Sequence, residues 1–163
     1  MSETNQAYLA ALRRCPDAHA ILNGSPKKCP ALRGTVRFYQ TPRGVLVAAE
    51  VTGLPRPQNR CAGTVHAFHI HSGQSCTGNG SDPFADAQGH FNLCGCPHPV
   101  HAGDMPPLFA NDGCAFQVFL TNRFTVRDIL NRTVIIHSGA DDFTTQPAGN
   151  AGAKIACGCI QPH

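Results

Sequence analysis

Apolar and polar residues alternate with the two-residue period of a β-strand along much of the chain. The alternation is clearest over residues 35–40 and 45–54, and the Thr41-Pro42-Arg43-Gly44 turn between them predicts a β-hairpin. Further short stretches predict strands over residues 19–22, 64–71, 114–121, 133–137 and 154–160. About eight short strands with few helices indicate an all-β barrel or sandwich.

Helical signals are confined to two short stretches. Residues 1–17 are polar with a helical patch at 7–14, so we interpret them as an N-terminal arm, of at most one helical turn, on a domain of residues 18–163. Residues 125–130 predict a single helical turn that Thr125 caps. The 163 residues fit one domain, and no composition shift marks a boundary inside it.

Residues 72–107 and 138–153 show no regular period and are rich in glycine or other turn-forming residues. Loops of this length inside a compact domain usually carry function. We therefore expect the functional groups to lie on these two loops and on the strands beside them.

Charge and hydropathy exclude several classes of function. The net charge of +3 is too small and too scattered to predict nucleic-acid binding. No run of about 18 apolar residues is present, so we expect no membrane span. The apolar run Ala7–Leu12 is too short for a secretory signal. We expect a cytoplasmic protein, with an exported or periplasmic one as the alternative, because a trimmed mature chain would look the same.

Most of the histidines are crowded between residues 66 and 104. His69 and His71 lie two residues apart in a predicted strand, so their imidazoles share a face, while Phe68 and Ile70 face the core. The other candidate ligands are His90, His98, His101, Asp104 and His137. They are too many for one tetrahedral ion and suit two. An all-imidazole set suits copper, whereas three histidines with one aspartate suit zinc.

A series of short motifs appears in a fixed order. They are Phe68-His69-Ile70-His71, Cys76, Gly89-His90-Phe91-Asn92, His101-Ala102-Gly103-Asp104, Val134-Ile135-Ile136-His137, Ala140-Asp141-Asp142, and Gly149-Asn150-Ala151-Gly152 followed by Ala156-Cys157-Gly158. Over roughly residues 18–160 the chain thereby resembles the copper/zinc superoxide dismutase family, in its bacterial form with a shortened electrostatic loop. Each motif alone is weak, but their shared order is specific.

The resemblance implies an eight-stranded Greek-key β-barrel, an immunoglobulin-like sandwich with two long functional loops. It implies that copper is bound by His69, His71, His90 and His137, and zinc by His90, His98, His101 and Asp104. His90 would bridge the two ions, and Asp141 would link His69 to His98. Cys76 and Cys157 would form a disulfide.

The implied activity is conversion of superoxide to oxygen and hydrogen peroxide by cycling of copper between Cu(II) and Cu(I), with zinc in a structural role. His90 is then a plausible proton source. Superoxide is the expected substrate, a homodimer is possible, and neither a nucleic acid nor a membrane is an expected partner.

The chain departs from the family pattern beside the expected copper. The family usually places an arginine there to dock the anion, and Lys154 occupies the matching position, so the charge is kept but the planar two-pronged donor is lost. Arg127 and Arg132 are weaker candidates. The loop of residues 138–153 is also shorter than usual and lacks the Glu- and Lys-containing segment that helps to steer the substrate.

Nine cysteines leave an odd number to pair. Cys15 and Cys29 form a local bridge or stay free. Cys94 and Cys96 ligate metal, form a further disulfide in which Cys61 is a candidate partner, or pack as thiols. We expect Cys114 and Cys159 to be buried thiols. We expect His66, outside these motifs, to lie at the surface.

Two other functions compete with the enzyme. A dismutase-like domain that stores or delivers copper would often lack copper ligands, and a zinc-only structural domain would not need them. The complete set of His69, His71, His90 and His137 favours the enzyme over both.

Overall fold

The computed structural model describes residues 3–57, 59 and 63–163. This part of the chain forms two α-helices, nine β-strands and one short 3-10 turn. The helices are α1 (Glu3–Arg13) and α2 (Val126–Ile129). The strands are β1 (Ala18–Gly24), β2 (Arg33–Thr41), β3 (Gly44–Thr52), β4 (Val65–His66), β5 (Phe68–His71), β6 (Leu108–Phe109), β7 (Ala115–Thr121), β8 (Thr133–His137) and β9 (Lys154–Pro162).

Seven strands form one antiparallel sheet in the order β5-β8-β9-β1-β2-β3-β7, which curls into a half-barrel. The predicted hairpin is β2–β3, whose register runs from Arg33 opposite Thr52 to Thr41 opposite Gly44. Strands β4 and β6 form a separate two-stranded ribbon. The prediction of an all-β fold is confirmed.

The single strand predicted over residues 64–71 is wrong in one respect, since the chain changes partners at Ala67. Strand β4 pairs with β6, whereas β5 pairs with β8. Between them, Ala67 N–H donates to the Gly139 carbonyl and the Ala67 carbonyl accepts from His137 N–H. The local alternation continues through Ala67 and therefore could not reveal this switch.

Helix α1 is longer than the single turn expected. Its 11 residues pack Ala11 against Tyr39, Leu46 and Ala48 on the outer face of the β2–β3 hairpin. The division into an arm and a domain at residue 18 stays a prediction. Helix α2 matches the predicted turn, with Thr125 and Asp128 in a capping box. Among the described residues, no helix is both long and apolar enough to cross a membrane.

Strand β7 presents apolar side chains to solvent at the edge of the sheet. Phe116, Val118 and Leu120 are 74%, 38% and 40% exposed, and Phe109 of the neighbouring β6 is 65% exposed. Cys114 precedes β7 in a tight turn and is also exposed, so the expectation of a buried thiol there is wrong.

The pairing of β5 with β8 sets up the functional face. Phe68, Ile70, Val134 and Ile136 lie on the core side, as expected for Phe68 and Ile70. By the alternation of the strand, His69, His71 and His137 project from the opposite side. Residues 72–107 and 138–153 cover that side, and isolated bridges join His69 to Asp104 and His71 to His90. The histidines are consequently buried although they do not face the barrel core.

Candidate metal centre

Four imidazoles converge on the covered face of β5 and β8. His69 and His71 come from β5, His137 ends β8, and His90 enters from the long loop; one ligand atom from each lies within 4.8 Å of the others. The Nε2 atoms of His71 and His137 are 3.3 Å apart, and the ring centroids of His69 and His90 are 3.9 Å apart. The structure thus brings together the four residues expected to bind copper.

Hydrogen bonds on the far side of three of these rings fix their orientation. His69 Nε2–H donates to Asp141 Oδ2 at 2.8 Å, His71 Nδ1–H to the Gln88 carbonyl at 2.7 Å, and His137 Nδ1–H to the Gly152 carbonyl at 3.2 Å. Each ring therefore turns its other nitrogen toward the cluster. The buried His69 Nδ1 and His90 Nε2 have no hydrogen-bond partner, which is the condition of a ligand atom that awaits a metal.

Burial keeps the imidazoles of His69, His71 and His137 neutral. Loss of water lowers the pKa of His137 to about 4, and the charges of His90 and Lys154 add to the effect. Desolvation, with repulsion from neighbouring histidines, also lowers the pKa of His69 and holds that of His71 well below its ordinary value. Neutral imidazole is the form that binds a metal, so the cluster is prepared for a cation at neutral pH.

A second cluster lies beside the first and consists of His90, His98, His101 and Asp104. Asp104 Oδ1 is 2.8 Å from His90 Nδ1, and its Oδ2 is 3.1 Å from His98 Nδ1 and 3.4 Å from His101 Nδ1. Burial alone would raise the pKa of Asp104, but the hydrogen bond from His90 and the charges of the three imidazoles lower it. The Asp104 carboxylate is therefore ionised and able to ligate.

His90 belongs to both clusters. Its Nδ1 faces Asp104 and lies 3.4 Å from His101 Nδ1, whereas its Nε2 has no partner and belongs to the opposite edge of the ring. The two clusters are thus joined through one imidazole, and each nitrogen of that ring faces one candidate ion.

Asp141 connects the clusters from behind. Its Oδ2 accepts from His69 Nε2–H and its Oδ1 from His98 Nε2–H, both at 2.8 Å. Phe143 N–H also donates to Oδ1 at 2.8 Å. Burial would raise the pKa of Asp141, but these hydrogen bonds lower it. The ionised carboxylate orients one imidazole of each cluster.

The disulfide implied by the resemblance is confirmed and joins Cys76 to Cys157 of β9. It ties the long loop to the sheet, and Phe84, Ala87 and Ile135 pack around it.

The expectation of a surface His66 is wrong, because His66 is buried and its Nδ1–H donates to the His137 carbonyl at 3.0 Å. The signal was available in the sequence, since His66 has the same parity as the core residues Phe68 and Ile70. His66 supports the backbone that carries His137.

Lys154 begins β9 and pairs in register with His137. Its side chain lines a cavity of about 380 Å³ together with His71, His90 and His137. Lys154 Nζ–H also donates to Asp82 Oδ2 at 2.6 Å, a partner that the sequence did not reveal. The cavity gives a small anion access to the four-histidine cluster beside a cation.

Among the residues that the structure describes, six other cysteines carry free thiols: Cys15, Cys29, Cys94, Cys96, Cys114 and Cys159. Cys15 and Cys29 are thus unpaired, and neither Cys94 nor Cys96 belongs to the two clusters. Cys61, the candidate disulfide partner, lies outside the described residues. Cys159 is half-buried rather than buried, because its side chain points toward the surface loop, where its thiol donates to the Gln74 carbonyl at 3.5 Å.

The family model for copper/zinc superoxide dismutase matches residues 32–160. The chain belongs to the copper/zinc superoxide dismutase family. It is 36% identical over 143 residues to superoxide dismutase 2 of Aquifex aeolicus, covering 78% of each chain. It is 34% identical over 149 residues to the enzyme of Legionella pneumophila, covering 86% of this chain and 84% of that one.

Among solved structures, the copper/zinc superoxide dismutase of Brucella abortus superposes with a TM-score of 0.73 at 26% identity, covering 88% of this chain and 99% of that one. The half-barrel is therefore the β-barrel fold of this family. The metals of the family also fit the residues present. Four nitrogen donors suit copper, and three nitrogens with one carboxylate suit zinc.

Proposed function

We propose that this family member is an active superoxide dismutase, in which two superoxide anions and two protons give one oxygen and one hydrogen peroxide. The observation that carries the proposal is the complete four-imidazole cluster joined through His90 to the three-histidine, one-aspartate cluster. Copper, when bound, supplies the one-electron redox couple; zinc has no redox chemistry and holds the loop.

The histidines divide the work of holding the ions. His69, His71 and His137 would bind copper through the nitrogens that face inward. His90 would bind copper through Nε2 and zinc through Nδ1, and His98, His101 and Asp104 would complete the zinc site. With its Nδ1 held on zinc, His90 would take up a proton at Nε2 when that atom is not a copper ligand. Its place at the edge of the access cavity would let it deliver that proton to the reduced substrate.

Lys154 would dock the anion. A single ammonium attracts superoxide and orients it less strictly than a guanidinium would. In the metal-loaded protein we expect Lys154→Ala to lower kcat/KM about tenfold at low ionic strength, since a nearby unit charge contributes on the order of 1 to 2 kcal/mol in a partly screened site. Lys154→Arg should keep the rate. An unchanged rate in Lys154→Ala at low salt would refute the docking role.

Metal analysis combined with superoxide consumption tests the whole proposal. We expect one copper and one zinc per chain and turnover near the diffusion limit. Bound copper with negligible turnover would instead support a copper-binding or copper-delivery domain, and zinc alone would support a structural domain.

Homodimerisation and a cytoplasmic location also belong to the proposal. The exposed Phe109, Phe116, Val118 and Leu120 support a homodimer, because an apolar face of this kind is often covered by another copy. Sedimentation velocity at micromolar concentration should detect a dimer, and a monomer would contradict it. Cell fractionation tests the location.

A further inference from the structure

The lysine beside the four-histidine cluster is not a free charge. Lys154 Nζ lies 2.6 Å from Asp82 Oδ2, and the two side chains are 14% and 38% exposed. Because the two opposite charges are so close together, their fields largely cancel at a distance from the pair. The shortened loop of residues 138–153 contains no lysine or arginine that could restore a positive field.

A second cavity, of about 250 Å³, adjoins the first and shares His137 and Lys154 with it. Its other lining residues include Lys28, Ser81 and Asp82. Lys28 therefore faces the same ion pair from the turn between β1 and β2, a segment that lies far from the metal ligands in the sequence.

The turn that carries Lys28 is attached to β9 beside Lys154. The buried Ser25 donates its backbone N–H to the Ile155 carbonyl at 2.7 Å. The Ser25 carbonyl accepts from Cys29 N–H at 2.9 Å, which closes the turn around Lys28. Lys28 itself is exposed, and the turn that carries it is anchored through Ser25 to Ile155, the residue after Lys154.

We propose that Lys28 supplies the net positive charge that draws superoxide to the mouth formed by Lys154, Asp82 and His137. The two ammonium groups against one carboxylate leave one positive charge at the mouth. Lys28 thus replaces, from the β1–β2 turn, the charge that the shortened loop lacks. This inference rests on the proposed dismutase function, since only an anionic substrate gains from the field.

The test compares Lys28→Ala with Lys27→Ala, because Lys27 is the adjacent exposed lysine and lines neither cavity. In the copper- and zinc-loaded enzyme at about 0.01 M ionic strength, Lys28→Ala should lower kcat/KM about two- to fivefold, and its rate should depend less on salt than that of the wild type. Lys27→Ala and Lys28→Arg should behave as wild type. Equal salt dependence in Lys28→Ala and Lys27→Ala would overturn the inference.

A second measurement does not depend on turnover. Thiocyanate can be titrated, in the absence of oxygen, into the copper- and zinc-loaded chain whose copper has been reduced to Cu(I) and whose disulfide is intact. NMR of the lysine side chains is the readout. We expect thiocyanate to bind about two- to fivefold more weakly to Lys28→Ala than to the wild type, and with wild-type affinity to Lys27→Ala. Equal affinity in both alanine variants would overturn the role of Lys28. Lack of turnover in the metal-loaded wild type would defeat the dismutase proposal separately.

An independent observation concerns the disulfide. Cys159 lies two residues after Cys157 on β9, so both side chains share a face of the strand. The Cys159 Sγ is 3.8 Å from the Cys76 Sγ, close to van der Waals contact with a sulfur that is already bonded to Cys157. A free thiol in this position is placed to attack the disulfide.

We infer that Cys159 exchanges with Cys157 as the partner of Cys76. The Cys159 thiolate attacks the Cys76 Sγ, the Cys76–Cys159 bond forms, and the Cys76–Cys157 bond breaks. Cys157 leaves as a thiolate and takes up the proton that Cys159 lost, so no external oxidant is needed. The exchange moves the attachment of the loop two residues along β9, away from Lys154, and so shifts the loop that also carries Asp82.

The variant Cys157→Ser tests this directly. After oxidation and alkylation at low pH, peptide mapping should find a Cys76–Cys159 disulfide, whereas Cys157→Ser with Cys159→Ser should leave Cys76 free. Cys157→Ser with Cys114→Ser, which removes an exposed thiol elsewhere, should keep the new bond.

The wild type provides a measurement that needs no mutation. After incubation at about pH 8.5 and acid quenching, tandem mass spectrometry of the β9 peptide should find a growing share of its alkyl label on Cys157 instead of Cys159. A label that stays wholly on Cys159 would overturn the exchange.

Discussion

A methyl group at Gly149 should uncouple the two metal clusters. Gly149 has φ +64°, and a Cβ placed there would lie 2.0 Å from Asp141 Oδ1 and 2.7 Å from His98 Nε2. Gly149→Ala therefore inserts an atom into the hydrogen bond between Asp141 and His98. The carboxylate must move, and it cannot do so without weakening its bond to His69 as well.

The cost has two parts. An alanine in the left-handed conformation costs about 1 to 2 kcal/mol. Loss of a hydrogen bond to a charged group costs about 1.5 to 3 kcal/mol, and the substitution breaks one such bond and weakens another. We expect a total loss of about 4 kcal/mol in the free energy of unfolding. Because Asp141 orients a ligand in each cluster, both metals should also bind about 10- to 100-fold more weakly.

Two glycines serve as matched controls. Gly95 has the same φ of +64° with no atom near an added Cβ, so Gly95→Ala should show only the conformational cost. Gly80 has neither a positive φ nor a neighbour within 4 Å, so Gly80→Ala should be neutral. Chemical unfolding of the metal-free oxidised chain and competition with metal chelators give the two readouts. Stability and metal affinity equal to those of Gly95→Ala would refute the reasoning.

Three further outcomes are expected. Asp141→Asn turns an amide donor toward one imidazole N–H. The affinity for copper or zinc, measured by competition with a chelator, should therefore fall about 10- to 100-fold, and an affinity equal to that of the wild type would contradict this. In the metal-free folded chain the pKa of His137 is lowered to about 4, whereas in the unfolded chain this histidine takes up a proton near pH 6.5. The neutral His137 should therefore contribute about 3 kcal/mol to the free energy of unfolding above pH 6.5, and this contribution should be lost as the pH falls toward 4. Acid unfolding curves would show the loss. Cys76→Ser opens a disulfide with a sequence separation of 81 and should lower the free energy of unfolding by about 4.5 kcal/mol, whereas Cys114→Ser should change it little in the same urea titration.

Local pattern was informative wherever the local environment decides the structure. Alternation located the β2–β3 hairpin and the core side of β5, because a strand with a buried face must carry apolar residues at every second position. Alternation failed at Ala67, because the pattern predicts extended chain in both β4 and β5 and only the pairing partner changes between them. It also failed at Cys114, since an edge strand and its turn can leave a residue of any polarity exposed.

The candidate site was predictable to a similar degree. His69 and His71 indicate a shared face by themselves, and the ordered motifs added the remaining ligands through resemblance to a family. Parity could have revealed that His66 is buried. The ion pair of Lys154 with Asp82 had no signal, because 72 residues separate the two and nothing in either segment specifies the other.

By itself, the sequence determined the all-β class, the donor atoms and their suitability for two different ions, since these depend on residue type and on the period of the chain. The tertiary structure decided which nitrogen of each imidazole is free, that Asp141 joins the clusters, and that Lys28, Asp82 and Lys154 meet at one mouth. The physical reason is that ring orientation and local field depend on hydrogen bonds and charges between segments far apart in sequence, and only folding brings those segments into contact.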